Sequence, residues 1–150
     1  MHKRTLSFLL TVLLTFSFAA CHDEGIERIG TPFILPETCQ WKSDIEKDKL
    51  HRIENKQQLK EMVYTKMEEN LPKINFDNTS ILLVSKELSH TGYEIESSLE
   101  ATSQLSYVFR ITVKEPTMPL IATPMTYNVA ISTEKINKRA AISYEIELPY

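Results

Sequence analysis

The run LSYVFRITV, residues 105–113, alternates Leu105, Tyr107, Phe109, Ile111 and Val113 with Ser106, Val108, Arg110 and Thr112. A period of two is the repeat of a strand with one buried face, because successive side chains leave opposite sides of a pleated backbone. The repeat returns downstream in Met125, Tyr127, Val129 and Ile131, and again in Ile142, Tyr144, Ile146 and Leu148. Upstream, ILLVSKEL at residues 81–88 is mostly apolar, which suits a central strand. Tyr93, Ile95 and Leu99 alternate with Glu94, Glu96 and Glu100, predicting a half-buried strand with an acidic outer face. That face reads most simply as a solvated surface, and otherwise as a face for a basic partner. Tyr107, Phe109 and Tyr127 are assigned to the core.

One helix is signalled before these strands. Asn55 followed by Gln58 has the form of a capping box, and Leu59, Met62, Val63 and Met67 recur at helical spacing through QQLKEMVYTKMEEN, residues 57–70. Lys56, Lys60, Glu61, Glu68 and Glu69 fall on the opposite face, and Pro72 with Asn70 and Asn75 ends the pattern. The expected fold class is therefore α+β: an antiparallel β-sheet or small sandwich with one packed helix, in a single domain over residues 41–150.

The first twenty residues, MHKRTLSFLLTVLLTFSFAA, carry Lys3 and Arg4, then an apolar run from Leu6 to Phe18, then two alanines. This is the pattern of a secretory signal peptide, and the run is short for a membrane span. The Ala19-Ala20-Cys21 junction resembles the lipobox of bacterial lipoproteins, although Phe18 stands where Leu is usual. The resemblance makes Cys21 the lipidated first residue of the mature chain. His22-Asp23-Glu24 behind it resembles the surface-export signal of Bacteroidetes lipoproteins, which implies an outer-membrane protein on the cell surface. Residues 21–40, with Gly25, Gly30, Pro32 and Pro36, read as a polar tether.

Composition narrows the function further. The net charge is −3 with both signs interspersed, so no basic field is available for nucleic acid. Of four histidines, His22, His51 and His90 lie beyond the leader, and Cys39 is the one cysteine other than Cys21. Cys39 reads as a tolerated thiol just ahead of the domain, and no HxxxH or CxxC spacing announces a metal. The expectation is a protein without catalytic residues, cofactor or metal.

A binding role is signalled by LSHTGYEIE, residues 88–96. Gly92 is the one glycine of the expected domain, placed where the turn Ser89-His90-Thr91-Gly92-Tyr93 wants positive φ. The prolines of residues 116–124 pre-set a second loop, which suits recognition as well as it suits a stiff connection. The candidate contacts are His90, Thr91, Gly92, Tyr93, Pro116, Pro119, Thr123 and Pro124.

The order of these features resembles the C-terminal domain of PrcB-like protease-complex subunits over residues 52–133. The matching marks are Leu71, Pro72, Ile74 and Phe76 ahead of the central strand, the Thr91-Gly92-Tyr93 turn, and Ala122-Thr123-Pro124 before a late strand. The turn here has a single glycine where the family has two. The resemblance implies a non-catalytic accessory or stabilising subunit of an extracellular protease. The same turn resembles that of chagasin-type inhibitors of cysteine proteases. Their Gly-rich and Arg-Pro-aromatic loops have no counterpart here, which leaves inhibition as the alternative.

Overall fold

Ile81, Leu82, Leu83 and Val84 are all fully buried, which a strand achieves only when both its faces are covered. The computed structural model, which describes residues 27–115 and 121–149, shows how this happens. The elements in order are β1 (Arg28–Ile29), β2 (Thr31–Pro32), β3 (Cys39–Trp41), β4 (Leu50–Ile53), α1 (Lys56–Met62), β5 (Val63–Thr65), a 3-10 turn (Glu68–Asn70), β6 (Thr79–Leu88), β7 (Glu94–Ser103), β8 (Ser106–Lys114), β9 (Met125–Glu134) and β10 (Ala141–Glu147). One sheet has the order β1-β7-β8-β10, a second β2-β9-β6-β4, and β3 pairs with β5 in a small ribbon.

Leu82 and Val84 of β6 join Leu99, Phe109, Ile111, Val129 and Ile131 in the core shared by the two large sheets. Their neighbours Ile81 and Leu83 turn the other way and join Leu59 of α1, Val63, Ile53 and Cys39 in a second core. The period of two thus divides one apolar strand between two cores, and β6 lies in the middle layer of three.

Among the described residues the protein is mostly β with a single short helix, rather than an even α+β mixture. Asn55 caps the helix, the Gln58 amide donating to its Oδ1 at 2.9 Å, while Gln58 Oε1 reaches one residue further back than a capping box does and accepts from the Glu54 amide at 2.6 Å. The helix nevertheless stops at Met62 instead of running to Asn70. Val63, Tyr64 and Thr65 leave it to pair with Trp41, Gln40 and Cys39, so the β-branched Val and Thr find a strand partner and Met67 is left exposed. The sheets are not wholly antiparallel either, since β10 runs parallel to β8 from Ala141↔Ser106 to Glu147↔Thr112. Leu105 and Leu148, expected at strand positions, lie outside the strands and are exposed.

The expected tether over residues 21–40 is corrected from Arg28 onward. Arg28 and Ile29 extend the first sheet beside Glu100 and Leu99, and Thr31 and Pro32 extend the second beside Ser132 and Ile131. Gly30 makes the step between the two sheets at φ +81°, where a Cβ would stand 2.8 Å from the carbonyl oxygen of Ser132. Phe33 and Leu35 pack on the helix-side core, and Cys39 is buried in it with its thiol donating to the Asn70 carbonyl at 3.2 Å. Cys39 is a core residue of the domain, not a thiol ahead of it.

A polar network ties β4, β6 and the β9–β10 connection at the end where β6 begins. Glu54 pairs with Arg52 at 2.7 Å and Lys135 at 3.7 Å, and accepts from the fully buried Ser80 hydroxyl at 3.2 Å. Ser80 Oγ in turn accepts from the Ile136 amide at 3.1 Å. Burial pushes the Glu54 carboxyl up, but Arg52, then Lys135 and Ser80, outweigh it and hold its pKa below the ordinary glutamate value.

Candidate partner-binding end

Leu88 pairs with Met125, and Glu94 pairs with Lys114, so both sheets finish at the same end of the molecule. The connection over residues 89–93 carries the chain from the second sheet to the first, and residues 121–124 lead it back into β9 of the second. They meet. Thr91 and Ile121 form an isolated antiparallel bridge, the Thr91 amide donating to the Ile121 carbonyl at 3.0 Å. The Thr123 amide donates to that same carbonyl at 2.7 Å, curling the second loop on itself.

The first loop is further held by side chains. Gly92 has φ +94° and is exposed, so the glycine stands where the turn demands it. The Tyr93 amide donates to Tyr127 Oη at 3.2 Å, and the Tyr93 ring meets Tyr127 and His90 edge-on, each with centroids 6.3 Å apart. His90 Nδ1 lies 2.8 Å from the Ser89 hydroxyl. His90 and Thr91 are half-buried rather than exposed at a tip, because the second loop and the tyrosine pair flank them.

Of the candidate contacts, His90, Thr91, Gly92 and Tyr93 are brought beside the segment that holds Thr123 and Pro124, both exposed. Cys21, Pro116 and Pro119 lie outside the described residues. Sequence reasoning missed Ile121 and Met125, large apolar side chains 65% and 47% exposed at this end. The period of two puts Met125 on the apolar face of its strand, but it is the first residue of β9 and is exposed.

Along the acidic stripe of β7, Glu94 and Glu96 are exposed and Glu100 is buried. Glu96 pairs with Lys114, and the Glu100 side chain is only 5% exposed, accepting from Arg110 Nε at 2.7 Å with Arg28 at 4.0 Å. Arg110 also pairs with Glu145. Its guanidinium pKa is raised above the ordinary value, first by the hydrogen bond it donates to Glu100. Among the described residues, no group of three or more His, Cys, Asp or Glu side chains is placed to hold a metal ion.

The described fold is that of a two-sheet β domain presenting paired loops at one end. No protein-family model, no curated protein and no solved structure matches the chain.

Proposed function

We propose that this chain is a non-catalytic, protein-binding lipoprotein, an accessory or stabilising subunit of an extracellular protease, held by lipid on Cys21 at the outer face of a bacterial outer membrane. The observation that supports the binding role is the Thr91–Ile121 bridge, which joins the Gly92 turn and the segment ahead of β9 into one surface. Around that bridge, exposed Ile121 and Met125 supply apolar area, and the tyrosine pair fixes the backbone before any partner arrives. The chain also enters the domain at the opposite end, with the Glu27 carbonyl accepting from Ala101, so a tether there leaves the loops facing outward. The PrcB-like order of motifs supports a protease as the partner.

The test is capture of a protease from the producing cells on the immobilised chain. Replacing His90 and Thr91 by Ala together keeps the Thr91 bridge, which is a backbone bond, and should weaken capture at least tenfold, or about 1.4 kcal/mol. Unchanged binding would sink the loop assignment. Inhibition of a cysteine protease by the purified chain would favour the chagasin-like reading instead. Anchoring is tested separately: Cys21→Ser should release the protein from detergent-extracted membranes, and a wholly soluble wild type would overturn the lipid anchor.

A further inference from the structure

The two sides of the sandwich are finished differently. On one side β1 and β2 pair with the outer edges of β7 at Leu99–Glu100 and of β9 at Ile131–Ser132, two residues of each. On the other, β10 is the outermost strand of its sheet among the described residues, regular over all of Ala141–Glu147 and free of proline. The Ala141 amide donates to the Leu105 carbonyl at 2.9 Å, so alternation turns the peptide groups of Ala141, Ser143, Glu145 and Glu147 toward β8. Those of Ile142, Tyr144 and Ile146 face the open edge, a template for another strand.

The charges around this edge say which strand fits. The chain entering β10 reads Lys138-Arg139, both exposed, and the strand ends in Glu145 and Glu147, also exposed. Among the described residues no ion pair engages Lys138, Arg139 or Glu147, while Glu145 is held by Arg110. A strand that is basic at its start and acidic at its finish is complementary to itself when antiparallel. We propose that β10 is a homodimerisation edge, pairing antiparallel with β10 of a second copy about a two-fold axis at Tyr144.

That register sets Tyr144 opposite its symmetry mate and Ile142 opposite Ile146, all residues whose peptide groups already face outward, so each pair exchanges both backbone bonds. Glu147 lies opposite Ala141 of the second copy, with the basic pair just beyond it, and the same contact repeats at the other end. The half-buried Ile142, Tyr144 and Ile146 gain a neighbouring strand over the core they already line. An incoming strand of unrelated sequence would match the backbone but not both charged ends.

Sedimentation of the full chain as its cells produce it, in density-matched detergent where a lipid is attached, should show a reversible dimer. Glu147→Lys should weaken the dimer at least tenfold, and so should the double change Lys138→Glu, Arg139→Glu. An equal mixture of the two variants should dimerise again, since each then offers the charge the other lacks. All three positions are exposed, and the restored mixture shows that both variants are folded. A wild type that stays monomeric, variants that dimerise as well as wild type, or a mixture no stronger than either variant alone would each overturn the proposal.

Discussion

The backbone amide of Thr91 donates to the carbonyl of Ile121 at 3.0 Å, so two of the connections that cross between the sheets, both at one end of the domain, are joined to each other rather than left as separate loops. One backbone bond thereby couples the two loops, and the glycine beside it supplies the positive φ of the turn.

Gly92 sits at φ +94°, where a β-branched residue is strained. Gly92→Val should cost about 1–3 kcal/mol and speed hydrogen exchange at the Thr91 amide. Wild-type stability and exchange would show that the turn does not need the glycine.

Phe109 is fully buried between the large sheets, whereas Thr112 lies on the outer face of the same strand. Phe109→Ala should cost about 3–5 kcal/mol in urea unfolding. Thr112→Ala should cost much less, and equal losses would contradict the facing of β8.

The depressed pKa of Glu54 makes part of the stability acid-sensitive. A carboxyl whose folded pKa lies below its unfolded value stabilises the fold fully above the unfolded value, about pH 4.3, and this contribution fades as pH falls through the folded one. Glu54→Gln should therefore be less stable at pH 7, where Arg52 and Lys135 lose their partner, and its stability should decline less steeply from about pH 5 to 3. Parallel curves for wild type and variant would refute the linkage.

Gly30 steps between the sheets with no room for a methyl group. Gly30→Ala should destabilise by about 1–3 kcal/mol and expose residues 28–32 to exchange before the core strands open. Unaltered exchange there would mean that the step relaxes without strain.

The long strands were legible because each repeats its alternation several times: Phe109 and Ile111 are buried, and the apolar run of β6 serves two cores. What escaped was pairing too short to carry a period. Two residues at Arg28–Ile29 and two at Thr31–Pro32 show no pattern, and their positions are fixed by partners about seventy to a hundred residues away. Val63–Thr65 fits a helical stripe as well as a strand until Cys39–Trp41 arrives beside it. Glu100 carries the same letter as its exposed neighbours, and only the arrival of Arg28 and Arg110 buries it. At the candidate site, Gly92 announced its turn, but nothing local in Ile121 announces a bridge to Thr91.

The strand pair around Gly30 also governs how the domain carries tension. Arg28 lies opposite Glu100, six residues along β7 from Glu94, or roughly 20 Å at about 3.3 Å per residue. A pull on the N-terminal side of the chain runs along β1 and β2, nearly perpendicular to their ladder bonds, and loads both sheets in shear at once instead of peeling one strand from its neighbour. The first part to yield is then this short double pairing at the near pole, while the Thr91–Ile121 loops at the far pole stay unstrained until it has gone.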